Sequence, residues 1–140
     1  MAFHLHPQLQ KDCILIGRLD LCRLLLMNDK QFPWFILVPE IEGITEIYQI
    51  NKQQREVLIE ESSTLAERLK TLYKADKINI AAIGNLVPQF HVHHVVRYHT
   101  DKAWPAPVWG KLPAVAYSGR ELKDTVSLIS DALGINGIRQ

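Results

Sequence analysis

From Asn51 to Lys74 the chain runs without a glycine or a proline, and Leu58, Leu65, Leu69 and Leu72 recur along it among Glu, Lys, Arg and Gln. That spacing predicts one long amphipathic helix, whose apolar stripe needs a flat apolar surface to lie on. Asn51 with Gln54 three residues on has capping-box spacing and sets the helix start. The surface has to come from the flanking segments. "CILIGRLDLCRLLLMND" reads as two extended pieces around Gly17 to Asp20, closing at Asn28 and Asp29, and "WFILVP" as a strand bounded by Pro33 and Pro39. After the helix, "KINIAAIGN" and "QFHVHHVVRY" return to strand character across a turn at Gly84 and Asn85 and are expected to pair. Strands on both sides of one helix predict an α+β fold: an antiparallel sheet of about five strands with the long helix packed on it.

The ends of the chain add two more helices. The first dozen residues fit a short one, with Pro7 in its first turn and Leu5 and Leu9 at helical spacing, capping one end of the sheet. Ser118 and Glu121 open a C-terminal helix with the stripe Leu122, Val126, Ile129 and Leu133, which Gly134 stops. Between them "YHTDKAWPAPVWGKLP" is a loop around Trp104 and Trp109. His99, Asp101 and Lys102 read as its solvated positions, and Arg97 as a partner for a carboxylate or a helix end.

With 140 residues, 47% of them hydrophobic, the chain can bury one core, so residues 1–140 are expected to form a single domain. A net charge of +1 lacks the basic excess of a protein held by a phosphate backbone, so nucleic acid is not an expected partner. Cys13 and Cys22 are too far apart for a CxxC pair and read as buried free thiols. "MAFHLHPQLQKD" has neither a basic n-region nor an apolar h-region, and no uncharged apolar span is long enough to cross a bilayer. A cytoplasmic protein without membrane contact is the expectation.

The chemistry concentrates in "GNLVPQFHVHHVVRY". On a strand, Gln89, His91 and His93 share one face, while Phe90, Val92 and His94 share the other. His94 then reads as a hydrogen-bonded core or edge residue. Three readings of the polar row stand side by side. The histidines are half-buried residues satisfied by backbone carbonyls. Or His91 and His93 ligate a metal, although one strand supplies only two imidazoles and Asp101 is the only carboxylate in sight. Or the row is catalytic: a neutral imidazole attacks phosphorus, its other nitrogen held by an acceptor, while a second His and an amide hold phosphate oxygens.

The string "GNLVPQFHVHHVVR" resembles the signature of the histidine triad (HIT) family of nucleotidyl hydrolases and transferases, His-φ-His-φ-His-φ-φ after a tight turn. "LLLMNDKQFPWFILVP", the long helix and "KINIAAIGN" extend the likeness over roughly residues 8–110, leaving 111–140 as a C-terminal loop and helix. "HPQL", "DLCRLLLMND" and "PAPVWG" look like a bacterial branch described as diadenosine tetraphosphate hydrolase-like. The resemblance implies a HIT-like fold and an enzyme acting on the α-phosphate of a nucleotide conjugate such as a dinucleoside polyphosphate, through a covalent nucleotidyl-histidine. It places the nucleophile at His91, a supporting histidine at His93, the ribose contact at Asn28 and a polar residue near the phosphates at Asn85.

Two positions depart from the pattern. Gln89 stands where the first histidine would be, and a fourth histidine that some branches carry falls near Trp34. Glutamine exchanges hydrogen bonds but carries no proton, so it can orient phosphate yet cannot serve as a general acid. Leaving groups that depart as stable anions are therefore expected. The resemblance also implies a homodimer; an Mg²⁺ ion can accompany a polyphosphate, but no carboxylate cluster in the sequence predicts a dedicated metal site. Two rivals remain: a nucleotide-binding protein of the same fold with little or no catalysis, and a dimeric interaction module built on the loop from Trp104 to Trp109.

Overall fold

The computed structural model describes residues 2–135. Its five strands form one antiparallel sheet in the order β1-β2-β3-β5-β4: β1 Cys13–Arg18, β2 Cys22–Met27, β3 Trp34–Pro39, β4 Lys77–Ala81 and β5 Val92–Arg97. Three α-helices accompany it: α1 Pro7–Asp12, α2 Lys52–Leu72 and α3 Gly119–Leu133. The predicted α+β architecture is present, long helix included.

Local chemistry accounts for most boundaries. Pro7 opens α1, and the His6 side chain accepts from the Gln8 amide as its N-cap. Asn51 caps α2 by accepting from the Gln54 amide at 2.8 Å. At α3, Ser118 and Glu121 satisfy each other's amides in a reciprocal box. Gly134 ends that helix at φ 68°, a left-handed conformation that costs glycine little. The β1–β2 hairpin carries a bulge at Ile16, where the register slips between Leu15 and Gly17. On α2, the Glu61 carboxylate accepts from the amides of Leu21 and Cys22 and so docks the hairpin turn on the helix.

Two boundaries differ from expectation. β4 stops at Ala81 and β5 begins at Val92, so "IGN" and "QFH" lie outside the ladder. The Phe90 amide donates to the Ile44 carbonyl, and the Gln89 carbonyl is taken by the His91 ring, so neither group is left for a neighbouring strand.

Alternation along the strands divides the core into two layers. Phe35, Leu37, Val92 and Val96 face α2, against Leu58, Leu65 and Leu69. Trp34, Ile36, Val38 and Val95 face the other way, where Leu9 of α1, Ala103 and Val108 cover them. Each fully buried leucine contributes about 2 kcal/mol, so the three on α2 fix that helix to the sheet. The opposite layer, under α1 and the 98–112 loop, receives His93.

Candidate active site

β5 is buried along its whole length and delivers His93 and His94 to opposite faces. His94 goes to the α2 side, fully buried. Its Nδ1 lies 3.2 Å from the Val92 carbonyl, which only accepts, so Nδ1 carries the hydrogen. Nε2 then accepts from the Ser62 hydroxyl at 2.7 Å. Both nitrogens are spent on structure. Burial pushes this ring from 6.5 down to about 4, the Val92 carbonyl partly opposing it.

His91 and His93 stand on the other side with ring centroids 4.9 Å apart, nearly perpendicular. Nδ1 of His91 is 2.7 Å from the Gln89 carbonyl oxygen and must therefore donate, which leaves the lone pair on Nε2. Nδ1 of His93 faces the indole N–H of Trp34 at 3.0 Å; an indole only donates, so here the lone pair is on Nδ1 and the hydrogen on Nε2. The two rings thus have opposite tautomers: His91 offers an acceptor and His93 a donor. Neither Nε2 has a hydrogen-bond partner among the described residues, nor is either a buried unsatisfied atom, so both reach solvent. Burial lowers the His91 pKa, against the pull of its carbonyl bond and helped by the nearby His6. Burial, with His91 and His94 alongside, pushes His93 down to about 3. Both rings are neutral at neutral pH, the state that can attack phosphorus or donate to its oxygens.

Gln89 spends its side-chain amide on backbone groups. Its Oε1 accepts from the His6 amide and its Nε2 donates to the His4 carbonyl, each at 2.8 Å. The side chain therefore clamps residues 4–6 beside His91. Glu42 holds the same strap through the His4 amide, and the Arg23 guanidinium lies over the Phe3 ring at 4.9 Å. Sequence reasoning missed this strap and the nearness of His6. A polar residue in an otherwise apolar run was the one signal, and it fits a phosphate ligand as well as a clamp.

Asn28 makes no hydrogen bond to either histidine. Its Oδ1 accepts from the Tyr117 amide at 2.9 Å, which leaves the Nδ2 end as the donor it can offer. It lines a cavity of about 340 Å³ with Lys11, Trp34, Val108 and Leu112. Trp34 connects this cavity to His93, because the same indole lines one and bonds the other. Gly84, at φ 69°, borders a small hollow with His91, and Asn85 follows it, exposed.

The aromatic loop closes over His93 of its own chain. Trp109 stands edge-on to His93 at 5.3 Å and to Trp34 at 5.9 Å. Arg97 anchors the loop: it forks onto both carboxylate oxygens of Asp101 at 2.8 and 3.1 Å, and donates to Asn79 and the Ala106 carbonyl. Asp101 is thus a buried ion-pair partner, whereas the sequence suggested a solvated position. Burial opposes its charge, but Arg97 and the Tyr98 and Ala103 amides outweigh that and hold its pKa below the usual carboxylate range.

A larger groove of about 810 Å³ lies between the β1–β2 turn and α2, but Asp20, Glu56, Glu60 and Glu61 line it, and such a wall repels phosphate. Among the described residues no three His, Cys, Asp or Glu side chains gather as a metal site, and no helix is long and apolar enough to cross a membrane.

A family model, the HIT domain, matches residues 8–100. A solved histidine triad protein from Marinobacter aquaeolei VT8 is 46% identical with a TM-score of 0.94, over 96% of this chain and 98% of that one. One from Bradyrhizobium japonicum is 40% identical with a TM-score of 0.92, over 94% and 98%. A third, from Sinorhizobium meliloti 1021, is 39% identical with a TM-score of 0.91, over 93% and 96%. No curated protein matches.

Proposed function

The chain belongs to the histidine triad family, and on that premise we propose that it is a nucleotidyl hydrolase or transferase of the diadenosine tetraphosphate hydrolase-like branch, acting on the α-phosphate of a dinucleoside polyphosphate or similar conjugate. The observation that carries this reading is the pair of opposed tautomers, a free Nε2 lone pair on His91 beside a free Nε2–H on His93.

Nε2 of His91 attacks phosphorus, and the bond to the bridging oxygen breaks, its electron pair leaving on the departing phosphate. The imidazole becomes a cationic nucleotidyl-imidazole, whose Nδ1–H stays on the Gln89 carbonyl. That acceptor favours the charged ring. Water then attacks phosphorus, the P–N bond returns its pair to Nε2, and the proton passes to solvent. His93 and Asn85 donate to nonbridging oxygens, where preorganised donors act most strongly. Gln89 contributes by fixing the strap and by its carbonyl. The Nδ2 group of Asn28 holds a ribose hydroxyl in the cavity beside Trp34. Any Mg²⁺ enters on the polyphosphate oxygens.

A homodimer joined along β4 fits the same reading, because β4 is an outer strand with Ile80, Ile83 and Leu86 exposed on and beyond it. The unpaired thiols of Cys13, half-buried, and Cys22, buried, suit a reducing cytoplasm. One feature favours the nucleotide-binding alternative: neither Gln89 nor Trp34 can give up or take on a proton near neutral pH, although both donate hydrogen bonds.

Intact-mass spectrometry after brief incubation with a dinucleoside polyphosphate separates the two. Wild type should gain one nucleotidyl group, and His91→Ala should gain none and lose turnover by at least about a thousandfold while keeping AMP affinity. AMP stabilisation without an adduct or released mononucleotide would support the binding protein.

A further inference from the structure

The bond between Trp34 and His93 joins β3 to β5 in a buried setting, across a register that sets Trp34 opposite Val95 and Ile36 opposite His93. Trp109 packs edge-on against both rings, so neither can turn without displacing the third. The titratable groups around His93 are His91, at 4.9 Å, and His94, next in the strand. Among the described residues no carboxylate hydrogen-bonds to its ring. The one hydrogen bond that the His93 ring makes among the described residues is therefore to a donor-only group.

We propose that Trp34 is a positioning residue that holds His93 as a neutral Nε2–H donor unable to release its proton, and so restricts the site to leaving groups that depart as anions. The leaving-group clause rests on the nucleotidyl-transfer reading; the tautomer clause does not. For His93 to deliver the Nε2 proton, Nδ1 must gain one at the same time, or an imidazolate results. The Trp34 hydrogen occupies that place. When the His91–phosphorus bond forms on a phosphoanhydride, the P–O bond breaks and its pair leaves on a phosphate oxygen that is stable without a proton. A phosphoramidate P–N bond would have to expel an amide anion unless a proton arrived, and this constellation supplies none. The Nε2–H of His93 thus stays in place as a hydrogen-bond donor to the charge it stabilises.

The test follows histidine ring nitrogens by long-range ¹H–¹⁵N NMR in the full chain, with parallel hydrolysis of diadenosine tetraphosphate and adenosine phosphoramidate, for wild type, Trp34→Phe and Trp34→His. Wild-type His93 should carry hydrogen on Nε2 alone at about pH 7 and at about pH 5, and should turn over the anhydride at least about a hundredfold faster. Trp34→Phe should show a second tautomer or an imidazolium at the lower pH, with the preference narrowed at least about tenfold. Trp34→His, able to give and take a proton, should narrow it further. A wild-type hydrogen on Nδ1, or Trp34→Phe signals identical to wild type, overturns the lock whatever the activity. The expected tautomer with neither substrate consumed overturns the nucleotidyl-transfer reading and the leaving-group clause together, so the two failures are told apart. Should Trp34→Phe fail to fold, the wild-type spectra decide the tautomer and the wild-type substrate ratio decides the selectivity.

Discussion

His93 and His94 follow one another in β5, both nearly or fully buried, and they end in different chemistry. Against α2, His94 gives one nitrogen to the Val92 carbonyl and the other to Ser62. Across the sheet, His93 gives one nitrogen to Trp34 and keeps the other open, as His91 does after bonding Gln89. On the proposed function, burial alone does not distinguish a working histidine from a structural one here. The count of unspent nitrogens does, and that count depends on whether the facing layer is a packed helix or a cleft roofed by a loop.

The sharpest way to break the comparison is to truncate each kind of histidine in turn. His91→Ala should leave unfolding in urea nearly as in wild type, set beside its loss of turnover. His94→Ala should do the reverse: it empties a core site and strands the Ser62 hydroxyl and costs about 2–4 kcal/mol, while the protein that remains folded turns over substrate within about tenfold of wild type. Folded His94→Ala with no turnover would place His94 in the reaction and erase the distinction.

A second test uses the ion pair that roofs one side and not the other. Arg97→Met leaves Asp101 buried without its cation and should cost about 3–5 kcal/mol in urea unfolding, with faster amide exchange over residues 98–109. Because Trp109 belongs to that loop, the loss should also slow turnover, an effect that Leu65→Ala, a core lesion under the opposite face, should not reproduce among folded molecules.

Acid sharpens the same contrast. His93 and His94 stay neutral when folded down to about 3 and about 4, but take up a proton near 6.5 once unfolded. The unfolded chain then binds more protons, so stability is fully present above 6.5 and falls as pH drops through the window from 6.5 to about 4 for His94, and further for His93. Each pH unit spent in that window costs about 1.4 kcal/mol per histidine. His94→Gln should flatten the slope of urea-derived stability against pH. An unchanged slope would mean that His94 is charged in the folded protein.

What could be read in advance follows from range. The stripe of α2, its Asn51 cap, the Ser118 box and the two-residue alternation that separates His93 from His94 are patterns among near neighbours, and each is present as expected. The contacts that assign roles are not local. Trp34 meets His93 across 59 positions, and Gln89 meets His6 and His4 across 83 and 85. No periodicity encodes those meetings. The buried state of Asp101 was hidden for a related reason: a charged residue in a proline-rich loop looks solvated until the Arg97 fork and three backbone amides are seen converging on it.

The smallest expected effect concerns Gln89, which belongs to neither class, since it sits in the histidine row but spends both ends of its amide on the backbone of residues 4–6. Gln89→Glu keeps the bond from the His6 amide but turns a carboxylate oxygen toward the His4 carbonyl, two acceptors face to face. Gln89→Leu removes both bonds. Each should cost about 1–2 kcal/mol and speed amide exchange at His6, with kcat and KM shifted only a few-fold, because the Gln89 carbonyl still orients His91. If the amide instead held a phosphate oxygen in the working complex, Gln89→Leu would cut kcat by about a hundredfold and leave exchange at His6 untouched. Row position would then outweigh the hydrogen-bond count as the mark of function, and the strap would be incidental to the site.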